Sequence, residues 1–89
     1  MVYRHVGTLV EMEWNFSQQT IDIWNAGTLP IGYRPRRSIR EPAMLTYSNG
    51  VVSNNTAEVE VTSGGIVNFI VAAAVAGGRN IGHCVWIAA

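Results

Sequence analysis

Ala57-Glu58-Val59-Glu60-Val61-Thr62-Ser63-Gly64-Gly65-Ile66-Val67-Asn68-Phe69-Ile70-Val71 decides the fold. Two runs rich in β-branched residues flank Thr62-Ser63-Gly64-Gly65, a turn signal, so the segment reads as a β-hairpin. In the first arm Glu58 and Glu60 alternate with Ala57, Val59 and Val61, which gives one wet face and one apolar face. The second arm is apolar on both faces except at Asn68. It is expected to be a central strand buried on both sides, or one that faces another subunit.

Towards the N-terminus the same period-two pattern returns. From Thr8 to Phe16, Val10, Met12, Trp14 and Phe16 share one face, and Leu9, Glu11, Glu13 and Asn15 share the other. That alternation predicts a half-buried strand. Val2 to Val6 reads as a short strand before it, with Gly7 as a turn or bulge. Thr20 to Trp24 reads as a further strand, Ile21 and Ile23 on one face, Asp22 and Trp24 on the other. Ser38 to Leu45 is a strand interrupted by Pro42, which confines it to an edge or a bulge. Ser48-Asn49-Gly50 signals a turn, and Val51 to Asn55 is a weaker strand or loop. Towards the C-terminus, Ala72 to Gly78 is ambiguous between a helical turn and an irregular loop, and Ile81 to Ala88 closes the chain as a strand. Short strands at regular spacing, with no convincing long helix, predict an all-β fold: an antiparallel sandwich or barrel in a single small domain of residues 1–89.

The 89-residue chain carries 13% charged residues and 48% hydrophobic ones. Typical soluble domains carry about 25% charged residues. A chain this size buries only about 60–65% of its unfolded surface. With so few charges, part of the surface is expected to be covered by a partner, most simply another copy of the chain. Net charge is zero, which argues against nucleic acid as the main ligand. All six cations are arginines, and Arg34, Arg36, Arg37 and Arg40 lie close together. They read either as a solvated loop balanced by Glu41 and its neighbours or as a local contact for an anion or a glycan. The N-terminus lacks a basic region followed by an apolar core and a cleavage site, so no secretory leader is expected. The longest apolar run, Phe69 to Ala76, is too short for a membrane-spanning helix. Met1 sits directly before a strand-like segment, so the chain is expected to be a fragment of a longer protein, cut at a domain boundary.

The chemistry of catalysis is sparse. Cys84, the single cysteine, excludes an internal disulfide and reads as a small buried hydrophobe. His83 beside it points to the opposite face. His5, His83 and Cys84 are too few and too scattered to suggest a metal site. The pairs Glu11/Glu13 and Glu58/Glu60 are solvent-face carboxylates, with no apolar pocket to raise a pKa. No enzymatic activity and no cofactor are expected. What remains is recognition, for which an aromatic face with polar neighbours is the usual means of holding a sugar. Trp14 lies on an apolar face with Val10 and Met12 and reads as core, and Trp86 lies in an apolar strand and reads as core or subunit interface. Trp24 shares its face with Asp22 and is the aromatic best suited to contact a ligand or partner. Tyr33 is either a packed corner ring or an exposed platform. Asn54 and Asn55 are polar loop residues.

The corner Gly27-Thr28-Leu29-Pro30-Ile31-Gly32-Tyr33-Arg34-Pro35 carries two prolines and two glycines between strand-like runs. Proline fixes φ and removes a donor, and glycine permits a reversal. This corner resembles the LP-x-G-YRP segment of C-terminal head domains in bacteriophage tail-fibre and baseplate receptor-binding proteins. The resemblance spans roughly Gly7 to Trp86. It starts at Val6-Gly7-Thr8-Leu9-Val10, includes Gly64-Gly65-Ile66-Val67, and ends with the Trp86 strand. It implies a β-sandwich or barrel that forms homotrimers at fibre tips, beside other tail-fibre or baseplate proteins at the host-attachment end of the virion tail. It also implies binding of a bacterial cell-surface saccharide without enzymatic activity or membrane insertion. Receptor pockets in some members of that family combine Trp, His, Asp and Arg, often near a subunit boundary. Here Asp22, Trp24, Arg40 and His83 are the candidate set, with Tyr33 on the corner. Two rival expectations are a purely structural trimerisation or capping domain and a carbohydrate-binding module of a hydrolase.

Overall fold

The computed structural model describes residues 1–17, 23–53, 56–72 and 77–89. Seven strands follow one another: β1 (Val2–Val6), β2 (Leu9–Ser17), β3 (Ile23–Thr28), β4 (Ile39–Thr46), β5 (Ala57–Val61), β6 (Ile66–Val71) and β7 (Arg79–Ile87). They form one antiparallel sheet in the order β1-β2-β7-β4-β5-β6-β3. The fold is all-β, as the spacing of apolar residues and turn signals predicts, and no helix occurs among the described residues. The sheet doubles over because β4 changes partners along its length. Ile39 to Ala43 pair with β5, and Met44 to Thr46 pair with β7. One layer therefore holds β1, β2, β7 and the end of β4. The other holds the start of β4 with β5, β6 and β3.

Between the layers lies the core. Val10, Met12 and Trp14 of β2 and Cys84 and Trp86 of β7 face Val59 and Val61 of β5 and Val67 and Phe69 of β6. The alternation read for Thr8 to Phe16 holds, with Val10 and Met12 fully buried and Glu13 exposed. Trp14 sits over Gly82, where a β-carbon would lie 2.6 Å from its Cε2, and donates its indole N–H to Asn80 Oδ1 at 2.8 Å. Phe16, Trp24 and Phe69 complete the core with centroid separations of 4.9 to 5.7 Å, the range that favours aromatic pairs.

The β5–β6 hairpin forms as read. Gly65 N–H donates to Thr62 O and Thr62 N–H to Ile66 O, and Gly65 takes φ +90°, a conformation that other residues resist. The expectation that Ile66 to Val71 is buried on both faces is corrected. Val67, Phe69 and Val71 are buried, whereas Ile66 is exposed and Asn68 and Ile70 are half-buried. One face packs on the core and the other stays on the outside of the layer. Pro42 falls in the part of β4 that has a strand neighbour on one side only, the setting in which a missing N–H is tolerated. The strand read as Thr20 to Trp24 is described only from Ile23 onward. Asn54, Asn55 and most of the ambiguous 72–78 stretch also lie outside the described residues.

Candidate ligand groove

The Pro/Gly corner is held in place from two sides. Leu29 N–H donates to Gly65 O at 2.8 Å, and Arg34 Nε donates to Leu29 O at 2.8 Å. The Arg34 side chain fills the space beside Gly65, where a β-carbon would meet its Nε at 2.7 Å. On the other side Trp86 Nε1 donates to Tyr33 O at 2.8 Å and Ala89 N–H donates to Arg34 O at 2.8 Å. The buried Pro35 bridges Ala88. The corner is thereby fastened both to the β5–β6 turn and to the end of β7.

That fastening creates a groove. β7 and β4 pair only at Ile81 to Arg79. Beyond this point the two strands part, and the chain from Pro35 to Ile39 spans the gap at the far end. The space between has a volume of about 420 Å³. Ile39, Val85, Trp86 and Ile87 form its apolar walls, and Pro35, Arg36 and Arg37 form its rim. Trp86 is 6% exposed, whereas Val85 and Ile87 are 45% and 64% exposed. The tryptophan is thus a wall anchored by its own hydrogen bond, and the aliphatic tips are what a ligand meets. Tyr33, whose carbonyl accepts that bond, packs its ring against Tyr3 and His5 with centroids 5.2 and 4.3 Å apart.

Of the five residues expected to form a receptor pocket, the four that are described do not gather. Asp22 lies outside the described residues. Trp24 turns towards the core and stacks on Phe69, while its neighbour Ile23 is 59% exposed. The face expected to carry a ligand contact is therefore the packed one. Tyr33 is the packed corner ring of the two alternatives, half-buried against Tyr3 and His5. Arg40 lies on the outer side of the β4–β5–β6 layer. It holds Glu58 at 2.6 Å and Glu60 at 3.0 Å, and Glu60 also accepts from Asn68 Nδ2 at 3.2 Å. His83 lies on the outer side of the other layer, 3.8 Å from Glu11. The Arg4 guanidinium, hydrogen-bonded to Glu11, holds that carboxyl below its ordinary range, against a smaller opposing effect of burial. Cys84 is buried, and burial pushes its thiol up to about 12, Glu41 adding to the effect. It is a protonated core thiol, not a nucleophile.

Sequence reasoning grouped Arg36 and Arg37 with Arg34 and Arg40 but did not find the groove. The available signal was the pair itself: two cations directly after a proline, with no acid before Glu41. Their partners in the groove are about fifty residues away along the chain, and only the parting of β4 from β7 brings them together. No protein-family model and no curated protein matches this chain.

Proposed function

We propose that this domain is an adhesion head of the bacteriophage tail-fibre or baseplate type, which binds a saccharide of the bacterial cell surface as a homotrimer and performs no catalysis. The observation that carries the reading is the groove at the end of β7. It is concave, walled by aliphatic tips and Trp86, rimmed by polar cations, and built on a corner fastened at both ends. A few polar groups over an apolar surface on a rigid scaffold is the economy of a sugar site. Beside it, Val6 and Leu9 stand opposite one another across β1 and β2, each at least 41% exposed, in a row that continues to Ile87 of the groove wall. An exposed aliphatic row in a chain with few charges suits a subunit contact, which would set the groove close to a subunit boundary. Weak single-site affinity would be offset by three sites on one trimer.

The test is binding of the fluorescently labelled domain to bacterial cells before and after periodate oxidation of their surface sugars, with solution mass followed by light scattering. Saturable binding that periodate abolishes, by a trimer, is the expected result. Absence of binding across a broad panel of cells would sink the adhesion reading and leave the structural capping role. A monomer that binds sugar would favour an isolated carbohydrate-binding module instead.

A further inference from the structure

Four of the six arginines have partners: Arg4 with Glu11, Arg34 with Leu29 O, Arg40 with Glu58 and Glu60, and Arg79 with Asn15. Arg36 and Arg37 are exposed and make no ion pair or hydrogen bond among the described residues. They are adjacent and of like charge, so each raises the potential felt at the other. They stand on the rim of a groove whose walls are Ile39, Val85 and Ile87. The nearest acid in sequence, Glu41, is half-buried and makes no ion pair with either arginine. A groove with aliphatic walls and a pair of guanidiniums that no described residue pairs with is complementary to an anion that carries an apolar surface. Guanidinium forks suit the planar oxygens of a carboxylate and the oxygens of a phosphate. The C–H face of a sugar ring suits the aliphatic tips.

We infer that this groove selects an anionic saccharide, with its carboxylate or phosphate held by Arg36 and Arg37 and its ring laid against Ile39, Val85 and Ile87. The inference rests on the adhesion reading and narrows its ligand to one charge class.

The test titrates the intact chain by calorimetry with three probes: oligogalacturonate as carboxylate, poly(glycerol phosphate) as phosphate, and dextran oligomers as neutral sugar. At least one anionic probe is expected to bind and dextran is not, with affinity falling as salt is added. The preferred anion tells a uronate from a phosphate source. The double substitution R36Q/R37Q should weaken binding by at least about tenfold, which corresponds to about 1.4 kcal/mol. Both side chains are exposed and unbonded, so the fold should be unchanged by circular dichroism. R40Q, which alters a cation on the outer side of the other layer, should leave binding as it was. Equal binding of dextran and the anionic probes, undiminished in R36Q/R37Q, would overturn the charge selection while leaving adhesion intact. An equal loss in R40Q would overturn the groove as the site. Failure of all three probes alongside retained cell binding would also overturn the inference, and failure of cell binding as well would remove the adhesion reading with it.

Discussion

Trp86 donates its indole N–H to the backbone carbonyl of Tyr33 across 2.8 Å, and this bond joins the last strand to the Pro/Gly corner. The two residues are far apart in sequence, yet the contact decides where Pro35, Arg36 and Arg37 stand relative to Val85 and Ile87. Substituting W86F keeps an aromatic ring in the wall and deletes the donor. A part-buried carbonyl left without its partner costs about 1–2 kcal/mol. Urea denaturation should show that loss, and binding to cells should weaken because the rim is no longer held.

Gly82 has no room for a side chain. The benzenoid edge of Trp14 covers it, with Cη2 2.7 Å and Cε2 2.6 Å from where a β-carbon would be built. G82A therefore forces the ring off its packing against Phe69, whose centroid is 5.2 Å away. Overpacking of this kind destabilises by about 1–3 kcal/mol. G64A is the contrast. Its nearest neighbour is Thr62 Oγ1 at 3.8 Å, an ordinary contact. There the loss of unfolded-state freedom should leave stability unchanged or raised by up to about 1 kcal/mol. Thermal melts of the two variants should move apart, and equal shifts would contradict this account of the Trp14 packing.

Asn80 is buried with its Oδ1 bonded to Trp14 and its Nδ2 without a hydrogen-bond partner among the described residues. N80A should leave the Trp14 N–H unpaired in the core and cost about 1–3 kcal/mol. W14F removes the donor as well, so in the double variant the penalties should not add. A double-mutant cycle in urea that gave simple additivity would show that the bond contributes nothing.

The Cys84 thiol makes stability fall at alkaline pH. Its folded pKa of about 12 stands above the ordinary value of 9.0. Below pH 9 the thiol is protonated in both states and has no effect on pH dependence. Above pH 9 the unfolded chain releases the proton first, so it binds fewer protons than the folded chain and stability falls with rising pH. C84A should flatten this part of the stability profile between about pH 9 and 12, relative to its own value at pH 7. In the native protein at pH 8 the thiol should not react with a disulfide reagent until denaturant is added.

Much of this fold was legible because period two is a strong signal. Glu11 and Glu13 alternate with Val10, Met12 and Trp14, and no other register would keep the carboxylates wet. The reading failed where apolar residues occupy both faces. Ile66 and Ile70 were as apolar as Val67 and Phe69, and only the position of β6 in the layer decides which pair faces the core. At Trp24 and Ile23 the larger ring takes the core position on an edge strand, where Asp22 had suggested a wet face. The candidate site was less legible still. Arg40 and His83 are conspicuous in sequence yet lie on the outer sides of different layers. The groove depends on the point at which β4 leaves β7, a property of the pairing rather than of any local run of residues.

Leu9 and Ile87 are partners across β2 and β7, and Val6 is Leu9's partner across β1. All three point away from the core, at 41%, 64% and 54% exposure. In an isolated domain this row lies in water, and an acid there disturbs no core contact. In an assembly that buries Val6 and Leu9, the same acid is desolvated without a partner, which costs several kcal/mol for each buried charge. L9E should therefore melt within a degree or two of the dilute parent while converting a trimer to monomers in light scattering. L9A, which removes apolar area and adds no charge, should weaken assembly by a smaller amount. If L9E remained as fully assembled as the parent, the row would not be where the copies meet. Loss of the folded signal at the same substitution would place Leu9 in the core, against its exposure.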